Sequence, residues 1–245
     1  MEIKDLKYKK QLKNINYTFD SKKIYGIIGN KNNITLLLEL ISSIKKSNQI
    51  KGNQKTFMIF ENSDDQIFNQ TVKEEILYGL SEENIDLNDL LTKVLLDESI
   101  LPKSFNYLSK TEKKKVVFAS MLATNPDIVL IDNFFNQIDL ETQKNFISIL
   151  KRLQFDEHKI IILADQNIDL LYEIVDEIIV LNDEILLSGN KFEVFENKDK
   201  FGELELELPF YIEFTDYVSA NKNVKLFYRD RVTDIVKDVY DNVQQ

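Results

Sequence analysis

Residues 24–40 read IYGIIGNKNNITLLLEL, and the rest of the chain is organised around them. Ile24, Tyr25, Ile27 and Ile28 are the β-branched and aromatic residues a buried strand prefers. Gly29 opens a loop, and residues 35–40 then run apolar, as a helix docked on a sheet does. Strand, loop and helix in that order are the setting of a phosphate-binding loop. Yet the loop, Gly29-Asn30-Lys31-Asn32-Asn33-Ile34-Thr35, holds one glycine and no Gly-Lys-Ser/Thr. Two readings stand: an ordinary structural turn, which we prefer, or a ruined phosphate loop that holds phosphate weakly.

Composition narrows the function. Among 245 residues there are no cysteines and one histidine, which excludes disulfides, thiolate metal sites and histidine clusters. No apolar run approaches the length of about 20 residues that spans a bilayer. The opening MEIKDLKYKK lacks a signal-peptide core, so a cytoplasmic protein is expected. A net charge of −10 argues against general affinity for nucleic acid or anionic membrane surfaces.

Outward from the central stretch, strands are expected at residues 2–8, 12–19 and 55–60. Thr71 with Glu74, and Ser109 with Glu112, form capping boxes that open helices. Leu87, Leu90, Leu91, Val94 and Leu95 share one helical face. The second capping box opens a helix over 113–124, stopped by Pro126. DIVLI at 127–131 is a short apolar run of the kind found in a buried parallel strand. A helix over 140–153, a strand at 159–163, a helix over 168–175 and a hairpin turning at Asn182-Asp183 follow. Strands alternating with helices predict an α/β fold with a mixed, mostly parallel sheet. The expected domains are 1–196, with a helical subdomain near 71–124, and an appended helical extension over 197–245 that includes a charged helix at 229–243.

Five segments together resemble the nucleotide-binding subunit of ABC transporters over nearly the whole chain. FENSDDQIFNQTVKEEILYGL (60–80) and LELPFYIEFTDYV (206–218) look most like the ATPase subunit of energy-coupling factor importers, the cobalt and vitamin type. The resemblance implies a P-loop NTPase-like fold with antiparallel N-terminal strands, a helical signature subdomain and a small C-terminal extension. It implies ATP and Mg²⁺ as ligands, and as partners a second ABC ATPase and a membrane transporter subunit. That would place the chain peripherally at the inner face of the cell membrane, with no insertion of its own.

Position by position, the residues that carry the family's chemistry are altered. Its phosphate loop reads GxxGxGK[ST]. If Asn33-Ile34-Thr35 matches the closing Lys-Ser-Thr, the loop is two residues short. The lysine becomes Asn33 and the Mg²⁺-binding hydroxyl becomes Ile34. Lys31 is the only local cation and precedes the expected helix, while Asn30, Asn32 and Asn33 are partial substitutes for glycine. The Q-loop glutamine is Glu61, a residue type able to bind Mg²⁺. The LSGGQ signature reads Leu108-Ser109-Lys110-Thr111-Glu112, with bulk where glycines are expected. Walker B ends in Asp132, but the catalytic glutamate after it is Asn133, and an amide is no general base. Asp165 stands where the switch histidine is expected, and His158 lies at the wrong end of its strand. Tyr8 is the match for the adenine-stacking aromatic.

Tyr8, Gly29, Lys31, Asn33, Thr35, Glu61 and Asp132 therefore make up a degenerate nucleotide site, with ATP and Mg²⁺ held weakly if at all. The expected function is a catalytically inactive ATPase-like subunit paired with an active homologue. A scaffold or regulatory protein that kept the fold, and a divergent ATPase using Lys31 and Glu61, are the alternatives.

Overall fold

A computed structural model describes residues 1–47, 49–51, 53–81, 85–229 and 231–243. β1 (Glu2–Tyr8) and β2 (Leu12–Thr18) pair antiparallel, and the short β4 (Ile50–Lys51) joins the far side of β1. The main sheet contains β3 (Ile24–Gly29), β5 (Thr56–Ile59), β6 (Ile128–Asp132), β7 (Ile160–Ala164), β8 (Glu177–Leu181) and β9 (Ile185–Asn190). Its order is β5-β6-β7-β3-β8-β9, with all pairs parallel except the β8–β9 hairpin.

The apolar runs form strands here because both faces of the sheet are covered. Side chains alternate between two cores, as a period of two requires. Ile24, Ile28, Val129, Ile131, Ile161 and Leu163 belong to one. Tyr25, Ile27, Ile128, Leu130, Ile160 and Ile162 belong to the other. That second core is closed by α1 (Lys31–Ile41), through Leu36, Leu37, Leu38 and Leu40.

α2 (Val72–Ile76), α3 (Leu87–Lys93) and α4 (Lys110–Thr124) occupy the stretch expected to be helical. Both capping boxes form. α4 begins three residues before the expected start, because Ser109 is its N-cap and helical geometry follows at once. α5 (Leu140–Phe155) and α6 (Ile168–Ile174) are the crossovers flanking β7. After β9 come α7 (Lys191–Glu196), α8 (Lys198–Glu203), α9 (Phe210–Lys222) and α10 (Val232–Val243). α10 starts later than the charged run at 229 suggests. Arg229 is instead held by an ion pair from its Nε to Asp238 at 2.6 Å.

The largest departure from the sequence reading lies at residues 29–35. There is no loop. β3 runs to Gly29, Asn30 is an extended N-cap, and Lys31 is the first helical residue. Lys31 therefore opens the helix rather than preceding it. The three asparagines do not act as glycine substitutes: Asn30 has φ −69°, and Asn32 and Asn33 are helical. The physical reason is the cap. The Asn30 side chain accepts from the Asn33 N–H at 3.2 Å, so the helix starts four residues earlier than its apolar run.

Candidate functional site

β6, β7 and β3 are neighbours, so Asp132, Ala164 and Gly29 end together at the carboxyl edge of the sheet. That edge is where open α/β sheets hold ligands. A cavity of about 350 Å³ lies there. Ile27, Ile28, Ile34 and Ala164 wall it, with Gly29, Lys31, Asp132, Asn133, Asp165 and Gln166 around them. Glu205, Leu206 and Glu207 reach it from the segment between α8 and α9. Among the described residues, the cavity thus carries four carboxylates and one ammonium.

The polar groups at this edge are bonded to one another. Lys31 Nζ meets Glu61 Oε2 at 2.8 Å. The other Glu61 oxygen accepts from Asn133 Nδ2 at 2.5 Å. Asn133 Oδ1 accepts from the Gln166 N–H at 3.3 Å, and the Asn133 N–H donates to Ala164 O at 2.7 Å. Asn133 is 3% exposed and left-handed, φ 47°, a conformation asparagine tolerates better than most residues. Its hold on both β7 and Glu61 gives that backbone a purpose.

Thr35 donates its hydroxyl to Asp132 Oδ2 at 2.6 Å. Thr35, and not Ile34, is thus the residue whose side chain meets Asp132. The helix starts early, so Thr35 turns toward Asp132 and Ile34 lines the cavity. Thr35 and Asp132 are oxygen donors of the kind Mg²⁺ takes. Among the described residues, no group of three or more acidic or histidine side chains is placed to hold a metal.

Electrostatics follow from these contacts. Burial pushes the Asp132 carboxyl above its usual range, opposed by the bond from Thr35. Burial also raises Asp165. Its Oδ2 is enclosed and finds no hydrogen-bond partner among the described residues. The Lys31 ammonium holds Glu61 below the usual range, with Asn133 assisting.

The glycine and asparagines of the expected phosphate loop have structural partners. Gly29 has φ 122°, and a Cβ built on it would lie 2.1 Å from Leu181 O. Its bare backbone is matched to β8. The Asn30 N–H donates to the same Leu181 carbonyl at 2.9 Å. Asn33, 8% exposed, donates from Nδ2 to Asn182 O at 2.8 Å. These contacts tie Gly29, Asn30 and Asn33 to β8 and to the turn that follows it.

The remaining expected residues lie elsewhere. Tyr8, at the end of β1, packs against the second core and does not line the cavity. Ser109 and Glu112 bond each other at the start of α4. Lys110 reaches Gln137 Oε1 at 3.2 Å, and Thr111 is the second residue of α4.

Sequence reasoning missed two features. Phe134 and Phe135 are buried and anchor the turn after Asn133, with the Phe134 ring near-parallel to Phe118 and Phe146. The segment at 204–208 also reaches the cavity: Leu204, Leu206 and Leu208 pack inward, while Glu205 and Glu207 stay exposed. The alternation ELELEL was the available signal.

No family model matches the chain. The EcfA1 energy-coupling factor transporter ATP-binding protein of Mesomycoplasma hyopneumoniae strain J is 30% identical over 223 residues, 81% of either chain. The EcfA2 counterpart from Staphylococcus aureus strain RF122 is 26% identical, covering 80% of this chain and 78% of its own. Among solved structures, cbiO1 of Clostridium perfringens, part of the ABC transporter complex cbiONQ, superposes with a TM-score of 0.67 at 21% identity. It covers 88% of this chain and 98% of its own, and bears on the fold alone. The fold is therefore the P-loop-like one of ABC ATPases, of a kind compatible with nucleotide binding. With a 30% identical relative matched across 81% of both lengths, the chain belongs to the ATP-binding subunits of ABC transporters and is closely related to those of the energy-coupling factor type.

Proposed function

We propose that this chain is a catalytically inactive ATPase-like subunit of an energy-coupling factor type importer, paired with an active ATPase homologue and a membrane component. The observation that carries this reading is the closed network Lys31–Glu61–Asn133. It stands where water is activated and phosphate positioned in an ATPase. Asn133 has no proton-accepting nitrogen, and the ammonium lining the cavity is already held by a carboxylate. Asp132, Asp165, Glu205 and Glu207 give the cavity a charge that opposes a polyphosphate. Any ATP or Mg²⁺ held here is held weakly, through Thr35 and Asp132.

The related EcfA1 and EcfA2 proteins are transporter ATP-binding proteins by name, and that likeness supports the pairing. Among the described residues no helix is long and apolar enough to cross a membrane.

The test has two arms. Phosphate release by the purified chain with Mg²⁺-ATP should stay at background, alone and with its partner's own catalytic site disabled. Release above background that Asp132→Ala abolishes would overturn the reading in favour of a divergent ATPase. Tagged chain expressed in its own cell should retain an intact ATPase paralogue and a membrane protein. Recovery of neither would favour a free-standing scaffold.

A further inference from the structure

A second cleft, of about 260 Å³, lies beside the first site, between the loop after β5, the start of α4 and the turn after β6. Three lysines line it: Lys110, Lys113 and Lys114. Two carboxylates line it too, but each has a cation. Glu61 is paired with Lys31, and Asp64 accepts from Lys113 at 2.6 Å. Lys110 and Lys114 contribute the charge that remains.

Lys114 is the unusual member. It is 7% exposed, and its ammonium donates to the carbonyls of Phe134 and Asn136. No carboxylate bonds to it among the described residues. Burial draws its pKa down, against the opposing pull of the Asp165 and Glu61 carboxylates, neither of which bonds to it. Ser63 is the second unusual member. It is 5% exposed, lines the same cleft, and its hydroxyl has no partner among the described residues. A buried hydroxyl without a partner is costly, and an enclosed polar group left open points to a missing ligand.

Donors of two elements therefore line the cleft, Ser63 from the loop and the lysines from α4, with Asn136 and Gln137 of the turn closing it. Each ammonium has three N–H donors, and Lys110 and Lys113 each use one on a described side chain. Donors approaching from different directions suit a tetrahedral oxyanion better than a planar carboxylate, which favours a fork of two parallel donors. The volume accommodates such an ion with accompanying water.

We propose that the cleft between Ser63, Lys110 and Lys114 is a binding site for a small free oxyanion of the orthophosphate class. It is separate from the cavity at Asp132 and needs neither nucleotide nor partner.

The test is calorimetric titration of the full chain with orthophosphate, at constant ionic strength and without nucleotide. Saturable binding is expected with a Kd of about 1 mM or tighter. The melting temperature should rise with phosphate concentration in step with that Kd. Lys110→Ala should weaken binding about tenfold, as loss of one charge-assisted hydrogen bond does, and Ser63→Ala should weaken it several-fold. Lys114→Met is the direct probe but risks misfolding. Lys110 is exposed, so its variant should melt like the wild type without phosphate and keeps the test decisive. No heat and no melting shift at about 10 mM phosphate would overturn the proposal, as would wild-type affinity in both Lys110→Ala and Ser63→Ala.

Discussion

Replacing Gly29 by alanine tests whether this glycine serves β8 or a ligand. The new Cβ would sit 2.1 Å from Leu181 O, 3.0 Å from its carbonyl carbon and 3.2 Å from its nitrogen. All three are backbone atoms, so no rotamer change relieves the clash and β3 must part from β8. Parting them there breaks the Asn30 N–H to Leu181 O bond, at about 1 kcal/mol. Holding a non-glycine residue at φ 122° adds about 1–3 kcal/mol, and overpacking adds about 1–3 kcal/mol more. The sum, roughly 3–7 kcal/mol, is a large share of a domain's usual stability of about 5–15 kcal/mol. At about 2–4 °C per kcal/mol for a chain of this size, the melting temperature should fall by at least roughly 6 °C. Urea unfolding monitored by circular dichroism and scanning calorimetry would measure it. Gly202→Ala is the control. It lies in α8 with nothing within 4 Å of the added atom, so it should be neutral or stabilise by up to about 1 kcal/mol. A Gly29→Ala protein within about 0.5 kcal/mol of wild type would refute the argument that β8 requires the glycine.

Three further outcomes follow from the same contacts. Asn133→Glu should restore no ATP hydrolysis in a phosphate-release assay. It should destabilise the fold by about 1–3 kcal/mol, because the new carboxylate faces Glu61 and the bond to the Gln166 N–H is lost. Glu205→Gln with Glu207→Gln should tighten binding of a fluorescent ATP analogue by a few-fold at low salt. The gain should shrink at high salt, since both groups are exposed and screened. Asp132→Asn should stabilise the protein at neutral pH, because burial disfavours the carboxylate it removes. For an acid whose folded pKa is raised, the native carboxyl protonates first as pH falls and the penalty disappears. The advantage of the Asp132→Asn variant over the wild type should therefore fade as pH drops through the raised pKa, and an advantage that grows on acidification would contradict the assignment.

Much of the fold was legible because it rests on short-range rules. Strands such as DIVLI and KIIIL read as buried because their runs are continuously apolar, and in the fold they feed two cores alternately. The capping boxes at Thr71 and Ser109 were readable because each closes within four residues. The scarcity of histidine needed no structure at all.

The start of α1 was not legible, because its first turn carries asparagines rather than an apolar stripe. Its cap is local, but what secures it is distant: Asn33 bonds the carbonyl of Asn182, 149 residues away in sequence. The same holds for the site. Lys31 with Glu61, Thr35 with Asp132, and Asn133 with Gln166 are pairs separated by 30 to 97 residues, joined only when β3, β5, β6 and β7 align their carboxyl ends. From the sequence alone these residues were a series of losses, one motif after another. Composition and local pattern determined an α/β core with a mostly parallel sheet and a chain with a single histidine, while the ABC-type reading rested on the resemblance of its motifs. Tertiary structure decided that the substituted residues satisfy one another, that Gly29 answers to β8, and that Glu205 and Glu207 face the cavity, because hydrogen-bond partners at long separation are chosen by sheet order.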